Sequence, residues 1–361
     1  MAPLKCPSLM CSLTCLRVNF HSRVSPVIKE ELLSVYRLTR NGPGQYNAVK
    51  SAAGQYEPHR FARESSRTAI RRSARSRVEK RGIKVMSRNE LRSRLKAVHA
   101  YATTPFLKAD LYELDLQGLA RNLEFLIEAG VEVSNVGGGT GEIDALTPGE
   151  LEAISRTALE VAGEAGEALI TPTLPGNAAV ALELAPKYEQ MGARVALAMP
   201  PFLRNSVPEN LDGVFAHYRQ VAAASGLLLL PYNTQYWPAE FVQRLAEIDA
   251  IVGVKDPCLE PHQLFRAIRL VGQRLVWIGN KRHDPGVLHF RYQAGIDGFT
   301  AGFVNFAPRF ELELHRAALR EEWPLMVVLQ AQLAPLERLR NRYGDGLLKA
   351  GLDLVGLSGG R

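Results

Sequence analysis

The chain has 361 residues, 46% of them apolar, and a net charge of +7, so it can bury a full core in one large domain or two ordinary ones and is not a disordered protein. No apolar run reaches the ~18 residues that a membrane-spanning helix needs. Three of the four cysteines, Cys6, Cys11 and Cys15, precede residue 86 and only Cys258 follows it. That excludes an intrachain disulfide framework in the body of the protein, and no Cys/His spacing suits zinc. A reducing compartment, the cytoplasm, is the expectation, with no cofactor and no metal.

The charge is unevenly placed. Residues 1–85 hold 17 basic and 5 acidic side chains, an excess of +12, which leaves −5 on residues 86–361. This arm contains "RTAIRRSARSRVEKRG" and little apolar periodicity, so it is expected to be a disordered basic extension. A targeting sequence, a basic interaction arm, a solvated tail and a translation start placed upstream of the natural one all fit that composition. Its "LMCSLTCL" segment is short and lacks an evident small-residue cleavage site, so it makes a poor secretory signal. With a mildly acidic body and no recognised nucleic-acid fold, no nucleic-acid partner is expected, and no membrane.

The folded domain, residues 86–361, is predicted to start at "SRNELRSRLKA", where Ser87 and Glu90 have the spacing of a capping box. Strand-like runs then follow at 98–106, 131–138, 167–175, 193–201, 227–233, 251–256, 274–280 and 296–305. Between them lie helical patterns such as "LQGLARNLEFLIEAG", with Leu116, Leu119, Leu123, Leu126 and Ile127 on one face and Gly130 at the stop. The helix–glycine–strand junction recurs at "EQMGARVALA", "AAASGLLLL" and "YQAGIDGF". Eight such units fit a (β/α)8 TIM barrel of ~250 residues, followed by extra C-terminal helices. A doubly wound open sheet is the alternative, and it must find edges for its strands.

A barrel carries its active site at the carboxyl ends of its strands. Those positions here include Thr103 and Thr104, the turn "GGGTGE" at 137–142, "PYN" at 231–233, Lys255 with Asp256, Asn280, and Thr300 to Gly302. Lys255 closes the apolar run "IVGVKD", where desolvation disfavours an ammonium and leaves a free amine able to condense with a ketone. The competing reading is a structural ion pair with Asp256. "GGGTGE" fits neither nucleotide-binding glycine pattern, but its backbone N–H groups and the Thr140 hydroxyl can cradle a carboxylate. Tyr232 can relay protons through its phenol or can simply pack. Arg282 and His283 fall on the loop after the seventh strand, where they touch substrate or stay solvated.

"GGTGE", "YN" and "GVKD", in that order on strands two, five and six, resemble the dihydrodipicolinate synthase and N-acetylneuraminate lyase superfamily of Schiff-base-forming barrels. The resemblance spans about residues 87–356. It implies that Lys255 is the imine-forming residue and Tyr232 its proton relay. It also implies a carboxylate site at Thr140 and its neighbouring amides, Gly139 among them, and a homo-oligomer, tetramer or dimer; Thr104, Asn233 and Gly302, at strand ends, are expected as further substrate-binding residues. Gly139 stands where dihydrodipicolinate synthases carry a threonine, Leu203 where they carry a second tyrosine, and Trp237 near the place of an arginine. "FVNFAPRF" (303–310), "RNR" (340–342) and "LLKAGLDLVG" (347–356) are closer to the 5-dehydro-4-deoxyglucarate dehydratase branch. That branch removes water and carbon dioxide from a sugar diacid to give 2,5-dioxopentanoate. The expected function is therefore a Schiff-base lyase acting on a small 2-keto sugar acid, a dehydratase and decarboxylase. Another 2-keto acid aldolase of the superfamily, or a barrel that binds a sugar acid without turnover, are the alternatives.

Overall fold

The computed structural model describes residues 86–110, 112–165, 168–201, 210–258, 260–281 and 286–360. The basic arm, Leu203, Arg282 and His283 lie outside the described residues. Helix α1 (Arg88–Arg94) leads into β1 (Val98–Tyr101), and α2 (Leu116–Glu128), β2 (Val133–Val136), α3 (Pro148–Ala165), β3 (Leu169–Leu174), α4 (Ala178–Gln190) and β4 (Val195–Ala198) follow. The alternation continues through α5 (Asp212–Ala223), β5 (Leu228–Pro231), α6 (Ala239–Leu245), β6 (Gly253–Lys255), α7 (Pro261–Val271), β7 (Val276–Asn280), α8 (Leu288–Ala294) and β8 (Gly298–Ala301). Helices α9 (Pro308–Leu319), α10 (Trp323–Tyr343) and α11 (Gly346–Leu354) end the chain.

Local chemistry sets the helix starts. At α1 both halves of the capping box form: the Glu90 N–H donates to Ser87 Oγ and the Ser87 N–H to the Glu90 carboxylate. Asp115 caps α2 by accepting from the Gly118 N–H at 2.7 Å. On that helix Leu119, Leu123 and Leu126 are buried as the periodicity predicts, and Gly130, at φ +86°, stops it.

The strands are all parallel, in the order β5-β4-β3-β2-β1-β8-β7-β6. The ends of that order, β5 and β6, meet through the bridges Leu229↔Ile251 and Tyr232↔Lys255, and this seam closes the barrel. The Asn233 N–H donates to the Lys255 carbonyl at 2.9 Å across it. The closed ring leaves no strand edge to protect, so the (β/α)8 expectation holds and the open sheet does not. Each strand is shorter than its apolar run. The first is predicted over 98–106 but leaves the sheet after Tyr101, because Pro105 cannot donate to a ladder and Thr104 is tied to the next loop.

Candidate active site

Register puts chemistry on one rim. Lys255 ends β6 opposite Ile278, and Asn280 ends β7 opposite Thr300. The rim opens into a cavity of about 260 Å³ whose wall includes Lys255, Tyr232, Tyr101, Gly139, Thr140 and Gly302. Asn280, Lys281, Thr300, Glu337, Arg340 and Asp345 complete its polar side.

Lys255 is only 6% exposed, and its Nζ lies 3.8 Å from the ring centroids of both Tyr101 and Tyr232. Burial drives its ammonium well below the ordinary lysine value; the Arg340 guanidinium lowers it further and Asp345 opposes the shift. The ion pair with Asp256 does not form. Asp256 points away from the cavity, accepting from Asn233 Nδ2 at 2.9 Å and from the Cys258 N–H at 2.7 Å. Residues adjacent on a strand face opposite sides, so a lysine aimed into the barrel turns its neighbour out of it.

The "GGGTGE" turn is shaped by its surroundings. Gly137 has φ +66°, and a Cβ on Gly138 would come within 2.3 Å of Asn135 Oδ1. Asn135 is itself fixed by donating from Nδ2 to the Thr171 carbonyl at 2.6 Å and to Thr173 Oγ1 at 3.0 Å. Glu142 adopts left-handed φ 62°, a strained conformation for a side-chain-bearing residue, and pairs with Lys349 of α11. Gly139 is the open point of the turn, with nothing within 4 Å of a Cβ added there.

Two expected binding residues do not reach the cavity wall. Thr104 spends its hydroxyl on the Gly141 carbonyl at 2.7 Å, where it holds the glycine turn. Asn233 accepts from the Trp237 N–H at 2.7 Å while donating to Asp256, so its carboxamide is consumed in fixing the loop after β5. Trp237 packs edge-to-face on Tyr218 and Phe241 and belongs to the core.

Sequence reasoning missed Tyr101, Arg340 and Asp345. Tyr101 was legible as the last residue of β1 had the strand end been placed before the two threonines. Burial raises its phenol well above the ordinary value, with Tyr232 adding to the shift. Arg340 and Asp345 come from α10 and the turn after it, a distance along the chain that no local pattern spans. Arg340 donates to Asp345 Oδ1 from Nε at 3.0 Å and from Nη2 at 2.6 Å, and reaches Thr140 Oγ1 at 3.4 Å. Gly302 makes room for it, since a Cβ there would lie 2.2 Å from Arg340 Nη1.

A parallel (β/α)8 barrel with a polar cavity at the carboxyl rim, walled by a buried lysine between two tyrosines, has the layout of a barrel enzyme that works on a small polar molecule. The dihydrodipicolinate synthetase family model matches residues 94–361, and the chain belongs to that family, a member of its lyase superfamily. It is 33% identical to the probable 5-dehydro-4-deoxyglucarate dehydratase 1 of Streptomyces coelicolor, over 68% of this chain and 80% of the relative. It is 31% identical to the probable 5-dehydro-4-deoxyglucarate dehydratase of Saccharopolyspora erythraea, over 62% of this chain and 73% of the relative. The crystal structure of dihydrodipicolinate synthase from Oceanobacillus iheyensis superposes with a TM-score of 0.68 at 25% identity, covering 75% of this chain and 90% of that one. No helix among the described residues is long and apolar enough to cross a membrane.

Proposed function

We propose that the chain is a Schiff-base lyase acting on a 2-keto sugar acid, a dehydratase and decarboxylase of the 5-dehydro-4-deoxyglucarate type. The observation that carries this reading is the Lys255 amine, buried without a carboxylate partner and facing a cavity that the Gly139–Thr140 turn also lines. The printed names of the two bacterial relatives support the substrate class.

In this reading the substrate's keto-acid carboxylate lies against the Gly139–Thr140 turn, with Arg340 supplying positive charge beside Thr140. The neutral Lys255 amine adds to the ketone, and Tyr232 shuttles the proton that lets water leave, giving a protonated imine. That imine draws electrons from the adjacent methylene, which loses a proton. The resulting enamine expels hydroxide from the next carbon, and the hydroxide takes up a proton to leave as water. The conjugated imine then accepts the electron pair released when the far carboxylate departs as carbon dioxide. Protonation and hydrolysis return Lys255 and release 2,5-dioxopentanoate. Arg340 serves twice, since the same positive charge that attracts the carboxylate adds to burial in disfavouring the Lys255 ammonium.

Borohydride added with a 2-oxo acid should leave a permanent mass increase on the peptide holding Lys255. Lys255→Ala and Lys255→Arg should both abolish trapping and turnover, because a guanidinium stays protonated and forms no imine. Trapping on a different lysine, or an active arginine variant, would remove the assignment.

A further inference from the structure

Beside the lysine site lies a second charged cluster whose charges do not balance. Lys281 Nζ sits 2.9 Å from Glu311 Oε1 and 2.9 Å from Glu337 Oε1, with the Phe303 ring centroid 4.7 Å away. All three charged residues are buried. Burial by itself would lower the Lys281 ammonium, yet the two carboxylates outweigh it and raise it, while burial pushes the Glu311 carboxyl up. The neighbouring cation, Arg340, is already held by Asp345. Two cations thus meet three carboxylates.

Stability requires only one of the two glutamates. Lys281 with a single carboxylate is a neutral buried pair, and a second buried carboxylate adds desolvation cost that is opposed only by Arg340, itself already paired with Asp345. The two differ in where they lie. Glu311 is fully buried behind Lys281 and is absent from the cavity wall, whereas Glu337 is on it. Glu337 is 3% exposed, and its Oε2, like Glu311 Oε2, has no hydrogen-bond partner, but of the two residues only Glu337 lines the cavity. A charged acceptor left unpartnered at the wall of a polar cavity is costly unless a ligand brings the donor.

We propose that Glu337 Oε2 accepts a hydrogen bond from a hydroxyl on the substrate's tail, so that the site takes hydroxylated 2-oxo acids and rejects aliphatic ones of the same length. The inference rests on the imine reading of Lys255, which anchors the keto end and sends the tail across the cavity. Lys281 is a positioning residue: by holding Oε1 it leaves Oε2 to the ligand. Glu337 and Arg340 are one turn apart on α10 and share a face, so a single helix meets both the carboxylate end and the hydroxylated end of one molecule.

The test compares the concentrations of 4,5,6-trihydroxy-2-oxohexanoate and of 2-oxohexanoate that give half-maximal borohydride trapping on Lys255. The wild-type protein should prefer the trihydroxy acid by about tenfold or more, as expected for a hydrogen bond to a charged acceptor. Glu337→Gln keeps the side chain's shape and leaves a balanced Lys281–Glu311 pair. It exchanges the charged acceptor for a neutral amide and should lower the ratio several-fold by weakening the trihydroxy acid alone. Glu311→Gln changes the same cluster away from the wall and should keep the wild-type ratio. Equal trapping of both acids by the wild type, a preserved ratio in Glu337→Gln, or an equal loss in Glu311→Gln would each overturn the proposal. No mass increase with either acid is a separate result, which removes the imine reading and this inference with it.

Discussion

Lys255 is placed against its own stability. Burial without an ion pair puts its folded-state value below the ordinary 10.5, so between the two values unfolding takes up a proton. The unfolded chain then binds more protons than the folded one, and stability rises with pH until both forms are neutral above about 10.5. Lys255→Met, which keeps the stem and drops the amine, should therefore raise the melting temperature at pH 7. That gain should shrink as the pH approaches 10.5, and thermal melts over a pH series check the sign. Tyr232→Phe addresses the chemistry instead. The ring stays 3.8 Å from the lysine nitrogen in the wild type, and the variant keeps that ring and loses only the hydroxyl. Turnover should fall about 10²- to 10⁴-fold with little change in KM, measured by steady-state kinetics. Tyr101 offers the same ring contact, but its buried phenol is held protonated, which suits packing around the amine better than proton transfer.

Among the elements, α10 and the turn that follows it separate this cavity from what the strands alone supply. Glu337, Arg340 and Asp345 all enter from this one segment. Gly302, just past β8, is the contact that admits it. Its backbone φ of −90° is open to any residue, so glycine is required there by closeness to Arg340 and not by conformation. Gly302→Ala should displace the guanidinium, raise the half-saturating concentration of 2-oxo acid by about tenfold, and leave the circular dichroism spectrum unchanged. The glycine turn after β2 is a different case. Its sequence announced a tight turn, and that turn is present, but two of the contacts that fix it, from Thr104 and Lys349, come from distant segments, while Asn135 supports it from the adjoining strand.

For the molecule as a whole, capping and periodicity begin at Ser87 and the family match at residue 94, all after Met86. The basic excess lies entirely before it. A chain beginning at Met86 is therefore expected to fold and to keep full activity. The melting temperature and turnover of the truncated and full-length proteins check this, and loss of either would tie the arm to the barrel. The eight strands, their order along the chain and the lysine at the end of the sixth were legible from the sequence, because period-two and period-3.6 patterning, helix stops and buried runs are local signals. So was the glycine turn, since its backbone demands are met within a few residues. Which side chains share the cavity was decided only by closure of the barrel. The β5–β6 seam brings Tyr232 beside Lys255, β1 adds Tyr101 from more than a hundred residues away, and the α10 face lays Arg340 against Thr140. Thr104 and Asn233 show the converse. Both stand at strand ends, where sequence alone counts them as binding residues, yet each has its polar atoms taken by a neighbouring loop. A hydrogen-bonding group is available to a ligand only when the folded chain has left it unsatisfied, and that condition is set by packing across the whole barrel.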